Sequence, residues 1–139
     1  MKQTALIHSD LSYLVACLGH TDEITLADAG FPIPSDVQRI DLAVTPGIPD
    51  FFTTLSTLLT EMTIEGVLIA QETAEQSPEF YQKLLNILED YQSQHPRIVS
   101  IQMISHEELK ERTERSKAVV RTGECTPFAN LILQAGVAF

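Results

Sequence analysis

Short aliphatic runs that alternate with stretches of helical period constrain this chain more than any other feature. Ile24 to Ala27, Gly66 to Ala70 and Ala118 to Arg121 are too short for helices and read as buried strands. Between such runs lie helical stripes. Ser9 to Leu18 sets Leu11, Leu14, Val15 and Leu18 on one face, with Ser9 as N-cap and Gly19 as its stop. Asp50 to Met62 aligns Phe51, Leu55, Leu58 and Leu59. Ser77-Pro78-Glu79 opens a helix to about Gln94 that packs Phe80, Leu84, Ile87, Leu88 and Tyr91. Ser105-His106-Glu107-Glu108 fits a capping box for a helix ending near Arg115. Arg39 to Val44, Ile98 to Ile104 and Asn130 to Val137 supply the remaining strands. This order predicts one layered α/β domain over residues 1–139, with a largely parallel central sheet flanked by helices.

Composition narrows the function. Lys and Arg number 9 against 19 Asp and Glu, a net charge of −10 that disfavours nucleic acid, whose phosphates demand clustered cations. No apolar run reaches the roughly 20 residues of a membrane span, and no signal-peptide stretch follows Met1, so the expected location is the cytoplasm. Cys17 and Cys125 lack metal-type spacing and are expected as reduced thiols. No dinucleotide fingerprint, Walker Lys, paired metal ligands or Gly-x-Ser-x-Gly elbow occurs, so neither cofactor nor metal is expected. What remains is acid–base chemistry on an uncharged polar ligand.

That chemistry gathers around Gly19-His20-Thr21-Asp22 and Asp28-Ala29-Gly30-Phe31-Pro32-Ile33-Pro34. The two strings flank the Ile24–Ala27 strand, and the Pro-rich one reads as a stiff loop. His20 follows a helix C-terminus, whose dipole favours the imidazolium, and Asp22 or Asp28 nearby would act in the same sense. It is a proton-donor candidate; the alternative is a surface residue closing the helix end. Asp28 ends a strand where α/β sheets bind ligands, although an Asx-turn would also explain it. Asp22 reads as a turn residue. His106, in a first helical turn, meets the opposite dipole end and is expected neutral, a hydroxyl-binding group or a plain surface residue. His8 and His95 carry no supporting context.

Gly19-His20-Thr21-Asp22, the Asp28–Pro34 string, Arg39-Ile40-Asp41 and Gly123-Glu124-Cys125-Thr126-Pro127-Phe128-Ala129-Asn130 together closely resemble the family shared by ribose pyranases and L-fucose mutarotases. The resemblance runs essentially end to end. It implies exchange between the pyranose and furanose rings of D-ribose, supplying the form that a kinase phosphorylates, without a cofactor. His20 is then the proton donor, with Asp28, His106, Phe128, Ala129 and Asn130 binding the sugar. It further implies a homo-oligomer, commonly a decamer of two stacked pentamers, with each site completed by a neighbour. Phe128 departs from the family's pattern, which has Tyr there. Its ring can pack on the sugar, but the phenolic hydroxyl is lost, worth about 0.5–1.5 kcal/mol if it met a sugar oxygen. Two other readings share this pocket: a non-catalytic sugar-binding module, and a mutarotase of fucose or a related sugar.

Overall fold

A computed structural model describes residues 1–139. It is a single α/β domain built on a six-stranded sheet of order β2-β5-β1-β6-β3-β4. The strands are β1 (Glu23–Ala27), β2 (Gln38–Asp41), β3 (Ile64–Ala70), β4 (Ser100–Ile104), β5 (Ala118–Arg121) and β6 (Leu131–Ala135). The helices are α1 (Ser9–Cys17), α2 (Phe51–Leu59), α3 (Gln71–Gln76), α4 (Pro78–Gln94) and α5 (His106–Thr113). Strands β2, β5 and β1 pair in parallel, as do β3 and β4; only β6 runs against its neighbours, β1 and β3.

The pleat divides the side chains between two layers. Leu26, Val67, Ile69, Val120, Leu131 and Leu133 face the larger core with α1, α2 and α4. Ala27, Leu68, Ala70, Val119 and Ile132, their alternates, face a smaller core with Leu109 of α5 and Phe31. Both sheet faces are therefore covered, which explains why the inner strands read as continuous apolar runs rather than alternating ones. Phe51, fully buried, meets Phe80 edge-on at a centroid distance of 5.0 Å and locks α2 to α4. No helix is long and apolar enough to cross a membrane.

Where expectation and structure differ, the cause is local. His8, not Ser9, caps α1: its Nδ1 accepts the Leu11 amide at 3.4 Å. Ser77 precedes α4 without capping it, because its hydroxyl donates to the Pro127 carbonyl at 2.7 Å. Helix α3 was not expected, since Gln71 to Gln76 has no apolar stripe; it stops where Pro78 forces Ser77 out of helical geometry. Strand β2 ends at Asp41, whose carboxylate takes the Ala43 amide at 3.1 Å in a turn. Strand β4 starts only at Ser100, leaving Ile98 exposed. Cys17 and Cys125 are free and exposed.

Gly123 shows how closely the loops after β5 and before α2 approach. Its amide donates to the Pro49 carbonyl at 2.8 Å and its carbonyl accepts the Gly47 amide at 2.6 Å. A Cβ there would lie 2.5 Å from the Ile48 nitrogen and 2.6 Å from its carbonyl oxygen. These are backbone atoms that cannot swing aside. Gly123→Ala is therefore expected to cost about 1–3 kcal/mol of stability, read as a lowered urea midpoint at unchanged slope. A wild-type midpoint would show that the two loops separate freely.

Candidate active site

The carboxyl ends of the parallel strands converge on one edge of the sheet, and the expected sugar-site residues sit there. Asp28 follows β1 directly. Asn130, just ahead of β6 and buried, grips it twice: Asn130 Oδ1 accepts the Asp28 amide at 2.9 Å, and Asn130 Nδ2 donates to Asp28 Oδ2 at 2.9 Å. Asp28 Oδ1 accepts the Gly30 amide at 2.8 Å, so the Asx-turn is also present. Burial pushes the Asp28 carboxyl above its usual range, against the opposing pull of the Gly30 amide, Asn130 and His106. Arg121, at the end of β5, pins the adjoining loop by donating to the Ala29 carbonyl at 3.0 Å while bonding both oxygens of Asp41.

His106 reaches this edge from the first turn of α5. At its far end, α5 is tied to the start of β1: Arg112 donates from Nε and Nη2 to the buried Glu23 carboxylate at 2.8 and 2.5 Å. The Ser105–Glu108 capping box forms and fixes the helix start. The His106 amide donates to Glu72 Oε2 at 2.8 Å. Its ring stands edge-on between Phe31, at 6.0 Å and 85°, and Phe128, at 5.0 Å and 88°. Nδ1 is buried without a hydrogen-bond partner, which leaves Nε2 as the bonding side of the ring. Burial holds the imidazole below its usual basicity, Lys110 adding to this and Glu72, Glu107 and Asp28 opposing it. The expected direction holds, but desolvation is the main cause rather than the helix dipole.

Phe128 takes a left-handed backbone, φ 59°, unusual for an aromatic residue. Thr73 of α3 holds it by donating to the Phe128 carbonyl at 2.7 Å, and the Asn130 amide donates to the same oxygen at 2.9 Å. Ala129 is fully buried in the larger core. Sequence reasoning missed Glu72, Thr73 and the edge-on contact of Phe31 with His106. Glu72 follows the carboxyl end of β3, so the strand-end rule contained a signal for it; Thr73 had none.

His20 lies elsewhere. It precedes β1, whereas Asp28 follows it, and a strand of five residues places about 17 Å between them. The carboxylate at its ring is neither Asp22 nor Asp28 but Glu65, with His20 Nε2 2.8 Å from Glu65 Oε2. Asp22 accepts the Gly19 amide at 2.8 Å and approaches Lys117 at 3.4 Å; chiefly that amide holds its carboxyl below the usual range, burial opposing and Lys117 assisting. It is a turn residue. Two surface cavities of about 640 and 490 Å³ involve neither group: one lies among Asp50, Lys83 and Glu124, the other among Leu6, Leu42 and Thr53.

Fold and edge together define a single-domain α/β protein whose strand ends gather a carboxylate, an amide, an imidazole and two aromatic rings. The chain belongs to the RbsD / FucU transport protein family, whose model matches residues 1–138. It is 58% identical, over the whole of both chains, to a D-ribose pyranase of Vibrio vulnificus. Among solved structures it resembles Bacillus subtilis RbsD complexed with D-ribose, at 45% identity and TM-score 0.88 over the full length of both. It also resembles the fucose mutarotase of Streptococcus pneumoniae in complex with L-fucose, at 26% identity and TM-score 0.82 over both whole chains.

A pH signature follows for His106. Folded His106 binds its proton more weakly than the unfolded chain does. Stability is therefore complete above the unfolded value of about 6.5 and is lost as pH falls through the lower folded value. His106→Gln is expected to flatten stability against pH just below about 6.5, measured by urea titration at each pH. A slope equal to that of wild type would remove His106 as a source of acid sensitivity.

Proposed function

We propose that this chain interconverts the pyranose and furanose forms of D-ribose by cofactor-free general acid–base ring opening. In this reading Asp28 and His106 bond the sugar hydroxyls, buried Asn130 holds Asp28 in place for that contact, the Phe128 ring packs on an apolar sugar face, and Ala129 forms the buried link between Phe128 and Asn130. The carrying observation is the convergence of those groups at one sheet edge. A carboxylate and an imidazole supply donors and acceptors for neighbouring hydroxyls, and aromatic faces suit sugar C–H bonds. Full-length identity of 58% to a D-ribose pyranase supports the choice of sugar.

His20 acts as the proton donor. The imidazolium protonates the ring oxygen while the anomeric hydroxyl loses its proton, and the bond between the anomeric carbon and the ring oxygen breaks. The open aldehyde is then attacked by a different hydroxyl, and the proton returns to His20. Nothing is oxidised or transferred, so the chain needs no redox or group-carrying cofactor. The base that takes the anomeric proton is water or a group of the assembled site. General acid assistance of about 10²- to 10⁴-fold suffices for a reaction that already runs in water.

Because β1 separates His20 from Asp28 within a chain, the site is composed of two copies, one supplying His20 and the other the sugar-binding edge. We read the assembly as a homodecamer of two stacked pentamers, working in the cytoplasm. The separation supports an oligomer; the resemblance supplies the number.

Saturation transfer between the anomeric protons of D-ribose measures the exchange directly. His20→Ala is expected to slow catalysed exchange by about 10²- to 10⁴-fold with the fold intact. Asp28→Asn is expected to weaken ribose binding instead. Co-assembled from unfolded His20→Ala and Asp28→Asn chains, mixed oligomers contain some sites with both native residues and are expected to regain activity. A mixture no faster than its parents would overturn the two-copy site, and wild-type protein that leaves exchange at the water rate would overturn the activity.

A further inference from the structure

The pairing of His20 with Glu65 is not explained by stability. The two side chains are 54% and 29% exposed, and an ion pair this open adds little to folding. Yet the backbone on both sides is held with unusual care. Thr21 sits at φ 70°, a left-handed conformation that a β-branched residue adopts only under constraint. Its amide donates to the Ala135 carbonyl at 2.9 Å, and the Ala135 amide returns a bond to Asp22 at 2.8 Å. The His20 loop is thus riveted to the end of β6.

Glu65 is aimed by a second device. It occupies the register shift between Ile64 and Gly66, a local irregularity of the kind that redirects a side chain. Gly136 passes flush against it: a Cβ there would lie 3.3 Å from Glu65 Cβ and 3.4 Å from its nitrogen. The Gly136 amide donates to the Thr63 carbonyl at 2.8 Å, which closes the tail over the bulge. The same residues that end β6 therefore fix both members of the pair.

We propose that Glu65 is a positioning residue for His20: its carboxylate accepts the Nε2–H, sets the plane of the ring, and leaves Nδ1 as the nitrogen that gives its proton to the sugar. This rests on the reading of His20 as proton donor. The step balances within the imidazole. Nε2–H stays bonded to Glu65 while Nδ1–H passes to the ring oxygen, and the neutral ring recovers a proton at Nδ1 when the new ring closes. A base or acid oriented by a third group is the arrangement that activated histidines share. Glu65 touches the imidazole and not the substrate, so its effect falls on the rate of the chemical step.

Two substitutions test this in the full-length protein. Glu65→Ala removes both the acceptor and the charge; Glu65→Gln keeps an acceptor oxygen and removes the charge. Glu65→Ala is expected to lower kcat for ribose ring exchange by roughly 10- to 100-fold with KM within about twofold, and Glu65→Gln to fall between it and wild type. At low temperature, wild type without sugar is expected to show a downfield Nε2–H resonance of His20, assigned by its loss in His20→Ala, that disappears in Glu65→Ala. A Glu65→Ala protein with wild-type kcat, or one that keeps the resonance, overturns the proposal. So does a raised KM at unchanged kcat. If wild type fails to speed exchange, the proposed activity falls as well; if wild type is active and Glu65→Ala matches it, only the positioning role falls.

Discussion

One strand running the wrong way organises everything else. β6 lies between β1 and β3 and opposes both, so its start meets the carboxyl ends of its neighbours and its end meets their amino ends. The segment entering it carries Phe128, Ala129 and Asn130 to the edge where Asp28 stands. The residues leaving it, Ala135 and Gly136, hold Thr21 and flank Glu65 at the opposite edge. A parallel strand in that position would join neither set. Two chemically distinct ends of the molecule are thus built by five residues of one strand and their immediate flanks.

The two ends differ in electrostatic character as well as in content. At the edge that carries Asp28 and His106, burial works against charge on both titratable groups, raising the Asp28 carboxyl and lowering the His106 imidazole. Hydrogen bonds from Asn130 and Gly30 keep Asp28 directed, and Glu72 anchors the backbone of His106. Such a half-buried polar surface suits a neutral ligand with many hydroxyls. The His20 end is open, charged and held by Glu65. The His20–Glu65 pair is thus solvated while the Asp28–His106 edge is desolvated, and β1 keeps the two apart within one chain.

Much of this was legible from the chain. Leu11 and Leu14 announced α1, Pro78 marked the start of α4, and the Ser105–Glu108 box opened α5, because caps, proline and apolar stripes act within a few residues. Asp28 was legible as a strand-end carboxylate. Helix α3 was not, since Gln71 to Gln76 carries no apolar period and is helical through its place between β3 and α4. The partner of His20 was not legible either. Glu65 is 45 residues away in sequence and comes within hydrogen-bond distance only because β1, β6 and β3 lie side by side.

By itself, the sequence determined the element order, the layered α/β class, the aliphatic core and the residue types available for acid–base chemistry. These depend on local preferences, on periodicity and on the distribution of charge. Only the tertiary structure decided that β6 runs antiparallel, that Asn130 clamps Asp28, that His106 is desolvated between two aromatic rings, and that His20 faces Glu65 at the opposite end of β1 from Asp28. Each of those is a contact between residues distant in the chain. Strand pairing and burial select such contacts, and no local pattern of residues encodes them.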